Sequence, residues 1–266
     1  MGDTTYHFLV ALKQVPDTTD VRLDAATGVL KRDRAKGITN PEDKYALELA
    51  IGLKEKLGGK LSVLSVGPES TKDSLKEALA MGADEAFLVS DAAAIGSDLV
   101  ATTQILMAAI QKIGPCDLVL TGRRSIDGST GAVGPMLAEG LKRPFVSAVR
   151  KVELNCSQVR TEQQWEEGFQ VVETSLPAVV SVSREGKAPR LATAMGIMKA
   201  AKKPMTVWSL ADLGIEPRLA GLAGSVTKVV RVASPERKKR LQVWEGASSA
   251  AVSELNQKLA AKGLLS

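Results

Sequence analysis

The residues with the most chemical content lie in one stretch, Thr121-Gly122-Arg123-Arg124-Ser125-Ile126-Asp127-Gly128-Ser129-Thr130-Gly131-Ala132-Val133-Gly134-Pro135. Gly128, Gly131 and Gly134 remove side chains where a backbone could come close to a ligand. Ser129 and Thr130 add hydroxyls, and Arg123 and Arg124 add guanidinium groups of the kind that pair with phosphate or carboxylate. A helix follows, whose first amides and positive dipole end attract an anion. Such a segment suits a phosphate or pyrophosphate. Its spacing is neither GxGxxG nor a Walker A sequence, so an ordinary strand-to-helix loop with surface arginines is the open alternative. Other chemistries have little to build on. The single histidine, His7, sits in an apolar run and reads as a strand residue. Cys116 and Cys156 are far apart, without a CxxC pairing. A Ser-His-Asp triad, a paired-histidine metal site and a disulfide framework are therefore excluded.

The elements that position this loop follow from periodicity. Residues 7–12 are a short apolar run and read as a buried strand. Residues 18–39 are polar, with Gly28 and Gly37, and read as an excursion or small hairpin. Asn40 is a good N-cap, Pro41 suits the first helical position, and Glu42 and Asp43 complement the dipole. Ala46, Leu49, Ala50, Leu53 and Leu57 follow at helical spacing, until Gly58-Gly59. Strands are expected at 61–66, 85–89 and 117–120. Helices are expected at 71–81, 98–113 and about 135–141, the long one with Leu99, Thr102, Thr103, Leu106, Ala109 and Ile110 inward. Alternation of this kind predicts an α/β fold, Rossmann-like, with a mostly parallel sheet. Ligands then sit beyond the carboxyl ends of the strands. Three ends stand out: Ala11, Val66 and the Gly122 loop. After Pro144 the segments 145–154, 158–161, 169–174 and 178–183 read as extended, adding antiparallel strands. Residues 184–204 read as a basic loop. Residues 1–226 form the expected nucleotide-binding domain and 227–266 a C-terminal arm. A terminal helix at 252–265 has Val252, Leu255, Leu259 and Leu264 on one side, to be covered by a partner chain or by the chain's own domain.

Composition narrows the class. The 266 residues are 44% hydrophobic, 24% charged and only 3% aromatic, which predicts a Leu/Val/Ile/Ala core and little to stack on bases. The net charge of +5 is spread out apart from a basic run at 237–240. No element that reads nucleic acid accompanies it, so none is expected as a partner. The start lacks a signal peptide and no run approaches the ~18 apolar residues that would span a bilayer. The expectation is a cytoplasmic chain with no transmembrane segment.

Several separated stretches resemble the electron transfer flavoprotein beta subunits: VALKQVPDT from Val10, ITNPEDKYALEL from Ile38, ALAMGADE from Ala78, DLVLTGRRSIDGSTGAVGP from Asp117 and WEEGFQVVETSLPAVVS from Trp165. They cover most of the first 230 residues in order. The resemblance implies a heterodimer with an alpha subunit that binds the electron-exchanging FAD. It implies a second nucleotide in the beta chain: structural AMP in most members, a second FAD in the bifurcating, NADH-linked group. Carried onto this chain, the nucleotide site comprises Ala11, Asn40, Pro41, Glu42, Asp43, Val66, and Gly122, Arg123, Arg124, Ser125, Ile126, Asp127, Gly128, Ser129, Thr130, Gly131, Ala132 and Val133. The motifs look like the bifurcating group and favour FAD over AMP. They depart from its usual IDGDTAQVGP at Ser129, Gly131 and Ala132. In the signature region Gln163 stands where a basic residue is usual.

Many members offer a loop leucine to acyl-CoA dehydrogenases of fatty acid beta-oxidation, in a run ending IMKA. Here Ala194 takes the leucine's place, Met195 could serve as a flexible apolar knob, and Ile197 and Met198 are either partner-recognition or core residues. The resemblance thus implies an electron carrier rather than a stand-alone enzyme. It would move electrons between dehydrogenases or NADH and a quinone- or ferredoxin-type acceptor, with the flavin carrying the redox step and no side chain as catalyst. A rival of another class is a stress or signalling nucleotide-binding module of similar fold, which would need only the first ~150 residues.

Overall fold

The computed structural model describes residues 5–17, 22–23, 30–31, 37–228, 230, 243 and 248–265. The basic run at 237–240 and most of the polar excursion at 18–39 lie outside them. The chain divides into two compact units, Met1–Val230 and Arg231–Ser266.

The first unit runs β1 (His7–Ala11), β2 (Gln14–Pro16), β3 (Arg22–Leu23), β4 (Leu30–Lys31), β5 (Gly37–Thr39), α1 (Pro41–Leu57), β6 (Lys60–Val66), α2 (Lys72–Met81), β7 (Glu85–Val89), α3 (Leu99–Ile113), β8 (Leu118–Gly122), α4 (Val133–Leu141), β9 (Phe145–Asn155), β10 (Gln158–Trp165), β11 (Gly168–Ser175), β12 (Ala178–Val182), α5 (Ala194–Ala200), β13 (Met205–Trp208) and α6 (Gly221–Gly224). In the second unit α7 (Ser248–Ala261) carries exposed Val252 and Leu255.

One nine-stranded sheet has the order β11-β10-β9-β12-β8-β1-β6-β7-β13. Every neighbouring pair from β9 to β13 is parallel; β10 and β11 extend it antiparallel. Strand order reverses at β1, which pairs with β6 on one side and β8 on the other. Crossover helices therefore cover both faces. Successive β1 residues alternate between two cores: Phe8 and Val10 pack with α1 and α2, Leu9 with Ile105, Leu106 and Leu137 of α3 and α4. His7 holds its place in β1, one ring nitrogen against the Pro115 carbonyl and the other against Ser62 Oγ.

The α1 face is wider than the sequence spacing suggests. Leu47 and Ile51 are buried as well as Ala46, Ala50 and Leu53, while Leu49 and Leu57 are half-buried. In α3, Leu99 and Thr102 are also only half-buried, because they face a cleft instead of the core.

The segment expected to be a basic loop contains α5, a correction with a clear cause. Its apolar residues face outward, so no inward period marks it. Met195, Ile197 and Met198 are 65%, 59% and 75% exposed, which removes the core reading of Ile197 and Met198. Thr193 caps the helix by accepting from the Gly196 amide, and Gly196 lies so close to the Ala80 carbonyl that a Cβ would stand 2.3 Å from it. Ahead of α5, Arg190 grips Glu48 and Glu55 of α1, and Lys187 also pairs with the fully buried Glu48 carboxylate. β13 was not expected either; its four residues extend the sheet edge beside β7. β10 continues to Trp165, beyond the expected 158–161, because the whole hairpin pairs in register with β11.

Candidate functional site

A cleft of about 830 Å³ opens beyond the carboxyl ends of β1, β6, β7 and β8, beside the reversal of strand order. Of the expected residues, Ala11, Asn40, Asp43, Val66, Gly122, Arg123, Arg124, Ser125, Gly128, Thr130, Gly131, Ala132 and Val133 line it. Glu42, Ile126 and Ser129 do not. With Arg123 and Arg124 they line a smaller polar hollow of about 370 Å³, together with Ser183, Arg184 and Glu185. Pro41 is the first residue of α1, and Asp127 turns to Lys13.

The first turn of α1 holds the loop by buried hydrogen bonds. Asp43 Oδ2 accepts from the Lys13 amide at 2.7 Å, and Oδ1 accepts from the Gly122 amide at 3.1 Å and from Asn40 Nδ2 at 2.9 Å. One carboxylate thus ties together the ends of β1 and β8. Burial pushes its pKa up to about 7, against the hydrogen bonds from Asn40, Lys13 and Gly122, which favour the ionised form. Asn40 stands at the N-cap position but does not cap α1 with its side chain. Its Oδ1 accepts from the Ile126 amide and its Nδ2 donates to the Arg124 carbonyl. Glu42 accepts from the Arg124 amide at 3.0 Å.

The loop glycines serve different ends. A Cβ on Gly122 would stand 2.3 Å from Asp43 Oδ1, so this glycine lets β8 meet α1. One on Gly134 would stand 3.0 Å from the Phe145 ring, a packing need within the fold. Gly131 has φ +65, the left-handed region that glycine tolerates. Gly128 alone faces open space, its nearest neighbour being Ser125 Oγ at 3.7 Å.

α4 begins at Val133 rather than Pro135, and no side chain caps it. Its first residues, Val133 and Gly134, line one end of the cleft with Ala132, and the first amides of a helix have no partner within it. Beneath them the buried Thr121 Oγ1 has no hydrogen-bond partner among the described residues. Donors left over at a helix start are what an anion satisfies.

Sequence reasoning missed the β7 side of the cleft, where Ser90, Asp91 and the 94–99 turn form the wall. The same strand-end rule could have found it. Asp98 caps α3 and also accepts from the Thr227 amide and hydroxyl, fastening that segment beside the cleft. These amides hold its carboxyl down at about 2. Lys13 was missed too; its amine binds both Asp127 oxygens, at 2.8 and 2.7 Å.

A family model described as "Electron transfer flavoprotein domain" matches residues 27–213. The chain is 41% identical over 254 residues to the electron transfer flavoprotein subunit beta of Thermoanaerobacterium thermosaccharolyticum, covering 95% of this chain and 97% of that one. The chain belongs to the electron transfer flavoprotein family. Within this family it aligns with beta subunits, and its general role is electron transfer. It is 42% identical over 231 residues to the caffeyl-CoA reductase-Etf complex subunit CarD of Acetobacterium woodii, covering 86% and 88% of the two chains. It is 38% identical over 254 residues to protein FixA of Bradyrhizobium diazoefficiens, covering 92% and 88%. Among the described residues of this flavoprotein-family chain, no helix is long and apolar enough to cross a membrane, and no acidic, histidine or cysteine cluster could hold a metal.

Proposed function

We propose that this chain is the beta subunit of a heterodimeric electron transfer flavoprotein and holds an adenine nucleotide, FAD rather than AMP, in the cleft at β1, β6, β7 and β8. The observation that carries the reading is the uncapped start of α4 above an unpartnered Thr121 hydroxyl, at the reversal point of a parallel sheet. The residues present fit the group. Backbone amides of Val133 and Gly134 would hold phosphate, Gly128 leaves room beside it, and Val66, Leu99 and Leu106 give the far wall an apolar lining. The cleft volume lies in the upper part of the ~300–1,000 Å³ range usual for small-molecule sites, so a dinucleotide has room there.

The bound flavin would supply the redox chemistry. The chain's own residues would position and insulate it: Asn40, Glu42 and Asp43 fix residues 122–126 of the loop, and the β7 turn forms the opposite wall. The arm, residues 227–266, would dock on the alpha subunit. The exposed face of Ala194, Met195, Ile197 and Met198 on α5 would meet a redox partner of the acyl-CoA dehydrogenase type. The resemblance of the sequence motifs to the bifurcating, NADH-linked group supports electron exchange with NADH and a ferredoxin-type acceptor, and the similarity to CarD relates the chain to a subunit of a caffeyl-CoA reductase-Etf complex. The simpler shuttle, with structural AMP, is the alternative.

The test is the nucleotide content of the complex coexpressed with its alpha subunit, by denaturing release and chromatography. Two FAD per heterodimer without AMP is the expected result. One FAD and one AMP would overturn FAD in this cleft and leave the shuttle reading.

A further inference from the structure

The loop between β8 and α4 is held in two unequal parts. Up to Ile126 it is tied to α1 and β12 by hydrogen bonds of its backbone: Gly122 to Asp43, Arg123 to the Val182 carbonyl, Arg124 to Glu42 and Ile126 to Asn40. Beyond Ile126 the chain is exposed as far as Gly131. Among the described residues, Ser129 bonds back only to the Ser125 carbonyl, and Gly128 donates to Asp127 of the same loop. Among the described residues, the side-chain tie that joins this far half to an element outside the loop is the two-pronged pair of Lys13 with Asp127. Lys13 directly follows the end of β1, its backbone amide is fixed by Asp43, and it lines the cleft. Gly128, Thr130 and Gly131, carried by the far half, line the same cleft. The pair therefore joins the end of the central strand to the loop segment whose Gly128, Thr130 and Gly131 line the cleft.

We propose that Lys13 and Asp127 form a latch that keeps the far half of the loop closed over the bound nucleotide and so sets how slowly it leaves. This rests on the reading of the cleft as a nucleotide site. In the latch, the Lys13 charge is spent on Asp127 and not on the ligand, and Asp127 keeps the Gly128 amide engaged within the loop. Both side chains are partly exposed, 49% and 30%. An ion pair so placed is modest in strength and weakened by salt. Such a tie can open on the timescale of ligand exchange, whereas the buried hydrogen bonds at Asn40 and Asp43 cannot open without disturbing the core.

The probe is radiolabelled AMP, which shares its adenosine phosphate with FAD. It is loaded into the nucleotide-stripped complex with the alpha subunit, and its release is timed at low and high salt. Lys13→Met and Asp127→Asn should each speed release about three- to fivefold, the worth of one partly exposed pair. The double variant should be no faster than either single one, Asp127→Glu should stay near wild type, and the salt dependence should shrink in both single variants. Slower release from Asp127→Asn would mean that freed Lys13 binds the phosphate itself, and this overturns the latch. Unchanged release from both single variants overturns it too, while leaving the nucleotide reading intact. A wild-type complex that neither contains nor takes up any adenine nucleotide in this chain removes both.

Discussion

The two halves of the β8–α4 loop are built from opposite materials. The near half is anchored by groups that water barely reaches: Asn40 is 1% exposed, Glu42 5% and Asp43 6%. The far half is exposed and tied by side-chain charges at the surface. A buried polar group left without its partner costs about 1–3 kcal/mol, whereas an exposed ion pair contributes about 0–1 kcal/mol. The difference teaches that one loop can combine a rigid floor with a cover that opens, by placing its hydrogen bonds at different depths.

The sharpest way to break this contrast is to strike the floor. Gly122→Ala would drive a Cβ against Asp43 and the α1 backbone, and should lower stability by about 3 kcal/mol or more, as overpacking of a rigid contact does. The loss is read from the denaturant midpoint. Asp43→Asn comes next, with an expected loss of about 1–3 kcal/mol at neutral pH, since an amide nitrogen would face a backbone donor. Its pH signature is distinct. The Asp43 carboxyl sits at about 7 in the fold against an ordinary 3.8. The folded state therefore holds the extra proton between these values, so this group's contribution is fully present below 3.8 and is lost as pH rises through about 7. Stability measured across that window should fall more steeply for wild type than for the Asn variant. If the two slopes match, Asp43 does not carry the proton.

Smaller effects belong to the surface. Met198→Glu, on the exposed α5 face, should slow electron exchange with a dehydrogenase partner several-fold and leave nucleotide content and stability unchanged. Smallest of all, Gly128→Ala should change the stability of the nucleotide-free protein by less than about 0.5 kcal/mol, because no atom lies within 3.7 Å of the new methyl. A large loss there would erase the distinction between floor and cover.

Much of this was legible in the sequence, and the reasons are local. The strand ends at Ala11, Val66 and Gly122 could be read because apolar runs stop there, and Asn40-Pro41 marks the α1 start by residue type alone. What Asn40 does with its side chain could not be read, since its partners, Ile126 and Arg124, come more than 80 residues later. Gly122 and Gly128 look alike in the sequence; only tertiary contact shows that one admits α1 and the other leaves a space. α5 escaped because a short helix with its apolar side outward has no inward period. β13 escaped because four residues after a proline carry too little pattern.

The place of β12 has a kinetic consequence. This strand lies between β8 and β9, yet it is made after the β9–β10–β11 meander. Until residue 182 has been synthesised, β9 has no neighbour on its inner side and β8 has only β1. A chain cut near residue 150 would keep β8, β1, β6 and β7 paired and leave β9 without a neighbour. The meander reaches its final place in the sheet only once β12 fills the gap between β8 and β9. Strand insertion over such sequence separations is intrinsically slow. Assembly of this subunit should therefore be limited by that insertion.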